Sequence, residues 1–276
     1  MQIIQAALAE DIKTGDITTN IFVDRKKISE ACIVAKENAV ICGLGIVQET
    51  FRALDKNTRV RFFCKDGQRV KKGFKVARLK GKTRILLTGE RVALNFLSHL
   101  SGIATATRAF SDAIRPYRAK IFDTRKTIPG LRGLQKYAVR CGGGKNHRLD
   151  LNDLILIKDN HQLALPKMSL QSLIGRAKKI SKKPVEIEVD TLRKFRDALN
   201  TKADIILLDN MSPHQIKQAV WLKEQLKKGQ KPLLEASGGV TLKNARAIAR
   251  TGVNRISIGA LTHSADAIDF SMEIVR

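Results

Sequence analysis

Apolar and polar positions change their pattern near Tyr117. Before it the periods are mixed. After it, short apolar runs alternate with stretches whose apolar residues recur every three or four positions. In the first part, residues 1–10 space as a short helix, and residues 11–19 (DIKTGDITT) form a loop punctuated by Gly and Thr. Strand-like runs at 31–35 and 39–42, a helical segment at 46–54, and the runs 59–63 and 75–79 around Asp66-Gly67 predict a hairpin-rich α+β unit. Residues 89–115 keep helical spacing over a long span and predict two helices broken near Ser101-Gly102.

From residue 117 the predicted strands are 120–122, 154–157, 185–189, 205–208, 233–235 and 255–258. The predicted helices between them are 170–180, 192–199, 214–227 and 242–250. Such alternation means parallel strands joined by crossover helices. Six units are visible where a closed barrel has eight, so the expectation is an open, incomplete α/β barrel over 116–263 after an N-terminal domain over 1–115. Residues 264–276 are expected to form a helix packing back on the first domain.

The predicted strands end in chemistry. Arg125 and Lys126, then Lys158, Glu188 and Asp190, Asp209, Ser237-Gly238-Gly239, and Gly259 stand at or just beyond successive strand ends. In a barrel those carboxyl ends share one face, so residues far apart in sequence converge on one pocket. Arg125 offers a planar fork for a carboxylate or phosphate, and Lys126 a compact point charge. The loops of the last two strands, with Gly238, Gly239 and Gly259 exposing backbone N–H groups, fit a phosphate. Cys141-Gly142-Gly143-Gly144 predicts a mobile or closely approached loop that brings His147 and Arg148 over the site, with Lys136 and Arg140 as further cations or solvated residues. Cations, carboxylates and a phosphate site together suit a sugar phosphate bearing pyrophosphate and an anionic co-substrate. In that reading Glu188 and Asp209 bind ribose hydroxyls or Mg²⁺.

Composition narrows the class. With 276 residues, 43% of them hydrophobic, the chain can bury a large core. No stretch reaches the length of a membrane span, and the opening MQIIQAALAEDI carries acids where a secretory signal has a basic start, so a cytoplasmic location is the expectation. Cys32, Cys42, Cys64 and Cys141 form no CxxC pair and fit reduced thiols. Fifty-one Lys and Arg against 26 Asp and Glu give a net charge of +25. The lysine runs 178–179, 182–183 and 227–228 carry few interleaved aromatics, so they predict a solvated basic face and no nucleic-acid partner.

In order along the chain, EDIKTGDITT, GERVALNFLSHLSGIAT, DTRKTIPGLRGLQKYAVRCGGGKNHR, LILIKDNH, EIEVD, ILLDN, LEASGGV and IGALTHS resemble the motifs of the carboxylating nicotinate-nucleotide pyrophosphorylases, or quinolinate phosphoribosyltransferases. The resemblance implies an N-terminal α/β sandwich, an open barrel, and a homodimer that can assemble further, to a hexamer for example. It also implies conversion of quinolinate and phosphoribosyl pyrophosphate, with Mg²⁺, to nicotinate mononucleotide, pyrophosphate and CO2. By position it assigns Arg91 to the partner's site, Arg125, Lys126, His147 and Arg148 to quinolinate, and Thr124 to substrate binding. Lys158, Glu188 and Asp209 fall to the phosphoribosyl and metal-pyrophosphate contacts, and Ser237, Gly238, Gly239, Ile258, Gly259 and Ala260 to the 5′-phosphate. Lys126, Lys158, Glu188 and Asp209 are the residues it implies for catalysis. Two rivals share parts of this pattern. A phosphoribosyltransferase-like relative associated with molybdenum transport would not need the intact cations, and an aldolase would use Lys158 as a Schiff base.

Overall fold

The computed structural model describes residues 2–165, 168–226 and 231–275. In chain order the elements are α1 (Gln2–Ile12), α2 (Ile17–Phe22), β1 (Ile28–Ala35), β2 (Ala39–Val40), α3 (Leu44–Leu54), β3 (Arg59–Phe62), β4 (Arg69–Val70), β5 (Lys75–Lys82) and α4 (Thr83–Ala113). They continue with β6 (Lys120–Phe122), α5 (Arg132–Cys141), β7 (Ile155–Ile157), α6 (Asp159–Ala164), α7 (Leu170–Ile180), β8 (Val185–Val189) and α8 (Leu192–Leu199). Last come β9 (Ile205–Asp209), α9 (Pro213–Glu224), β10 (Leu233–Ser237), α10 (Leu242–Arg250), β11 (Arg255–Ser257), α11 (Ala260–His263) and β12 (Phe270–Val275). The chain forms two compact units: Met1–Arg108 with Ile128–Gly143 and Ser264–Arg276, and Ala109–Thr127 with Gly144–His263.

In the first unit an antiparallel sheet runs β12-β1-β5-β3. Ala31, Ile33 and Ala35, on one face of β1, are buried with Val76 and Leu79 of β5, as the two-residue period of a half-buried strand requires. Leu44, Val47 and Phe51, at helical spacing on α3, and Leu86, Leu94 and Leu97 on α4 complete this core. Two expectations fail here. The C-terminal segment is the strand β12, paired along β1 from Glu30↔Val275 to Ala35↔Phe270. It is not a helix, because its main-chain groups and the buried Phe270 find partners on β1. The expected break at Ser101-Gly102 is absent, since α4 runs unbroken from Thr83 to Ala113. Gly102 serves packing instead: a Cβ there would lie 2.1 Å from the carbonyl oxygen of Asp266.

Residues 128–143 also group with the first unit, so the units do not divide at a single point near residue 115. Tyr137 donates its hydroxyl to Asp66 at 2.8 Å, and Arg108 donates to the carbonyls of Gly142 (2.9 Å) and Cys141 (3.2 Å). A Cβ on Gly142 would meet Ala104 O and Thr107 Cβ at 2.5 Å. Of the two expectations for the triple-glycine loop, close approach is the one the packing shows.

The second unit holds a parallel sheet in the order β6-β11-β10-β9-β8-β7. The strands from β7 to β11 succeed one another around the sheet, and β6 joins β11 at the far edge. The sheet is not closed. Ile187, Ile206, Leu208, Ala236 and Ile256 are buried, as strands covered on both faces demand. Beyond β6, Lys145 donates its N–H to Ile121 O at 2.8 Å and accepts from Asp123 N–H at 3.1 Å, which lays the start of the next loop along the sheet edge. Side-chain caps at Ser169, Thr191 and Ser212 start α7, α8 and α9. Helix α9 ends at Glu224, and Lys227 and Lys228 lie outside the described residues.

Candidate active site

A cavity of about 740 Å³ opens at the carboxyl ends of the parallel strands. Its lining gathers Thr124, Arg125, Lys126, His147, Arg148, Lys158, Glu188, Asp209, Ser237, Gly238, Gly239, Ile258, Gly259 and Ala260. These are the expected site residues with one exception. Arg91 belongs to the first unit, exposed on α4. Lys136 and Arg140 are not among the lining residues: Lys136 is buried in the first unit, and the guanidinium of Arg140 lies 5.5 Å from the Tyr137 ring centre. Asp190 is drawn away into an exposed pair with Lys194 Nζ at 2.9 Å.

The cations are crowded. Arg148 donates Nη1 to Leu154 O at 3.2 Å, and its pKa is pulled below the ordinary arginine value by burial first and by the charge of Arg125 next. Arg125 Nε is buried and finds no hydrogen-bond partner among the described residues. A buried guanidinium nitrogen without an acceptor is costly. Two neighbouring guanidiniums with a spare donor therefore define a site for an anion. Lys158 Nζ sits 3.2 Å from Glu188 Oε2 at the mouth. Thr124 Oγ1 accepts the Lys126 N–H at 3.0 Å, and Thr262 Oγ1 donates to Lys126 O at 2.7 Å, so the chain bearing Lys126 is pinned at two points.

On the opposite side the β10 loop turns through Gly238 and Gly239, whose φ values of 88° and 58° suit glycine. A Cβ on Gly238 would overlap Asn210 Oδ1 at 2.1 Å, so that position requires glycine on two counts. Asn244 Nδ2 donates to Gly239 O at 2.9 Å and ties the loop to the start of α10, whose helix dipole favours an anion. At Gly259 a Cβ would approach Lys126 Cδ at 3.0 Å, which brings the β11 loop against Lys126. The Ile258 N–H is spent on Phe122 O at 3.0 Å and so is not a donor to a ligand in the cavity.

Beneath the cations lie three groups that the strand-end pattern did not single out. Glu186, Glu235 and Asp123 are completely buried. Asp123 accepts from Asn146 Nδ2 and from the His147 N–H at 2.8 Å, which sets the backbone on which His147 and Arg148 stand. His147 Nε2 lies 3.1 Å from Glu186 Oε2 and 3.3 Å from Glu235 Oε1. Burial drives the pKa of the ring down, the two glutamates drive it up, and the balance stands at about 9. Nδ1 accepts the Arg148 N–H at 2.8 Å, so the proton facing the carboxylates is the one on Nε2. Burial pushes Glu186 up, against His147. The signal for Glu186 was present in the sequence: in Val185-Glu186-Ile187-Glu188-Val189 it shares a strand face with Glu188.

Among the described residues no helix is long and apolar enough to cross a membrane. The models of the two domains of quinolinate phosphoribosyl transferase match residues 16–101 (N-terminal domain) and 103–273 (C-terminal domain). A probable carboxylating nicotinate-nucleotide pyrophosphorylase of Bacillus subtilis is 43% identical over 96% of this chain and 90% of its own length. The enzyme of that name from Mycobacterium leprae is 41% identical over 98% and 95%. The solved nicotinate-nucleotide pyrophosphorylase of Francisella tularensis superposes with a TM-score of 0.93 at 41% identity, covering 99% of this chain and 95% of that one. A cavity that pairs crowded guanidiniums with a glycine cradle, in a chain matched over both domains, identifies a member of the quinolinate phosphoribosyltransferase family, the carboxylating nicotinate-nucleotide pyrophosphorylases of de novo NAD biosynthesis.

Proposed function

We propose that this cavity joins quinolinate to the ribosyl group of phosphoribosyl pyrophosphate, with the following division of labour. Arg125 and Arg148 hold the two carboxylates of quinolinate, helped by Lys126 and Thr124. The observation that carries this is the buried Arg125 Nε with no acceptor among the described residues, beside a second guanidinium. The 5′-phosphate lies on the Ser237–Gly239 loop, where Gly238 and Gly239 stand at positive φ, and on the Ile258–Ala260 loop, where Gly259 carries no side chain. Lys158, Glu188 and Asp209 line the space between these anchors, suited to the ribose hydroxyls and the pyrophosphate.

The quinolinate ring nitrogen attacks the anomeric carbon as the bond to pyrophosphate breaks, and the pyrophosphate leaves with the electron pair of that bond. Fixed cations orient the dicarboxylate and offset the charge of the leaving group, so positioning and electrostatics account for most of the rate. Once the ring nitrogen is quaternary, its positive charge stabilises the electron pair left on the neighbouring carbon when the adjacent carboxylate departs as CO2, and that carbon then takes a proton from water to give nicotinate mononucleotide. That step needs no further cofactor. Glu188 and Asp209 are hard oxygen donors, but Glu188 already faces Lys158, so the pair fits Mg²⁺ carried in on pyrophosphate better than a dedicated protein cage. When bound there, Mg²⁺ would supply charge neutralisation for the leaving group.

Arg91, exposed on α4, is assigned to the site of a partner in a homodimer. A cytoplasmic location fits four cysteines that are all free. The test is to incubate the protein with quinolinate, phosphoribosyl pyrophosphate and Mg²⁺ and to follow nicotinate mononucleotide and CO2 together, with nicotinate as a parallel acceptor. Equal amounts of both products from quinolinate, and none from nicotinate, are expected. A folded protein that leaves quinolinate untouched would overturn the reading.

A further inference from the structure

An anion-binding cavity with a buried glutamate at its floor presents a contradiction. Glu235 lines the cavity and is fully buried, so its charge is screened by little water. A substrate carrying two carboxylates would meet that charge unless something stands between them. Four groups surround it. Ser257 Oγ donates to Glu235 Oε1, Arg255 Nη1 stands 3.7 Å from Oε2 on the strand side, and His147 Nε2 stands 3.3 Å from Oε1. Behind the ring, Glu186 Oε2 is 3.1 Å from the same nitrogen. Arg255 is also stacked on Phe122, 4.9 Å from its ring centre, which fixes it along β11 and β6. Of this group His147 and the small hydroxyl residue Ser257 line the cavity beside Glu235, His147 being the bulkier and the one that carries a ring, while Arg255 and Glu186 do not reach it.

The ring of His147 is fully committed. Nδ1 accepts from Arg148 N–H, and Nε2 faces two carboxylates. No orientation of the ring as placed offers a donor to a substrate carboxylate. We propose that His147 acts as a shield: with its ring held by Glu186, it covers the buried carboxylate of Glu235 so that the dicarboxylate substrate can settle on Arg125 and Arg148. Glu186 is then a positioning residue that works through His147. The proposal rests on quinolinate being the substrate, and it gives the two acidic residues on β8 and β10 a purpose in a site built for anions.

The experiment compares His147→Gln, Glu235→Gln and the double variant in three measurements: quinolinate affinity by calorimetry, phosphoribosyl pyrophosphate affinity, and the unfolding midpoint. His147→Gln is expected to weaken quinolinate on the order of tenfold to a hundredfold, since it leaves a buried charge uncovered, and to leave phosphoribosyl pyrophosphate within about twofold. Adding Glu235→Gln removes the charge and should return most of the lost quinolinate affinity. If the second substitution returns nothing, His147 touches the substrate itself and the shield is wrong. The unfolding midpoints judge the same contact without any substrate. Replacing His147 should lower the midpoint less in the Glu235→Gln background than in the wild type, and equal losses in both backgrounds would overturn the pairing. A wild-type protein that binds no quinolinate would remove the substrate reading, and the midpoints would still decide whether His147 covers Glu235.

Discussion

At the scale of single residues, Arg125 bears the strongest demand, because a buried guanidinium nitrogen waits for an acceptor. Arg125→Ala should therefore weaken quinolinate by roughly a hundredfold, about 2–3 kcal/mol for a charged hydrogen-bonded contact, and phosphoribosyl pyrophosphate much less. Calorimetry with each substrate separately checks it, and equal losses would reassign the residue. The opposite selectivity is expected at Gly238, where φ is 88° and an added Cβ would overlap Asn210 Oδ1. Gly238→Ala should displace the β10 loop and weaken phosphoribosyl pyrophosphate at least tenfold, about 1.4 kcal/mol, with quinolinate binding kept; unchanged affinity would remove the loop from the phosphate site. Arg125, Lys126, Lys158 and the lining glycines were legible in the sequence because each stands at or just past the end of an apolar run, and Arg148 because it follows the triple glycine. Glu186 was signalled only by sharing a strand face with Glu188, and Glu235 not at all, because an acidic residue inside a strand reads as a solvated edge until the sheet shows it buried. Nor does sequence reveal that both ring nitrogens of His147 are engaged, which depends on three elements converging.

At the scale of elements, the parallel half was readable almost strand by strand, since buried runs and amphipathic helices differ sharply in period. Helices α7, α8 and α10 fall where the apolar spacing puts them. The misreadings lie where a distant partner decides. β12 takes its conformation from β1, more than 200 residues earlier, and no local pattern carries that information. Gly102 looked like a break because glycine weakens an isolated helix, whereas here it admits the Asp266 carbonyl. Both corrections predict measurable costs. Deleting residues 270–276 removes Phe270 from the core and strips β1 of its edge partner. Loss of one large buried side chain costs about 3–5 kcal/mol, so the unfolding midpoint should fall by roughly 10 °C or more. A truncated chain that melts like the full one would show that β12 adds nothing to the sheet. Gly102→Ala, which would gain stability in an ordinary helix, should lose it here, and a raised midpoint would contradict the close approach.

At the scale of the whole molecule, the question is where the site is completed. The cavity of the second unit holds Arg125, Lys126, Arg148 and Lys158, but Arg91 stands exposed on α4 in the first. If it serves a partner's cavity, two defective proteins must be able to repair each other. Arg91→Ala spoils what a subunit gives, and Lys158→Ala spoils what it keeps, so each homodimer should be nearly inactive. Refolding the two together in equal amounts makes half of the dimers mixed, and in each of these one cavity has lost both residues while the other has lost neither. Activity should rise to about a quarter of the wild-type value, as expected for random pairing about a two-fold axis. Arg91 acting within its own chain predicts a different result, since every cavity would then inherit one defect and the mixture would stay inactive. Size-exclusion chromatography of the wild type sets the condition for the comparison: a monomer that turns over quinolinate would by itself end the assignment of Arg91 to a partner.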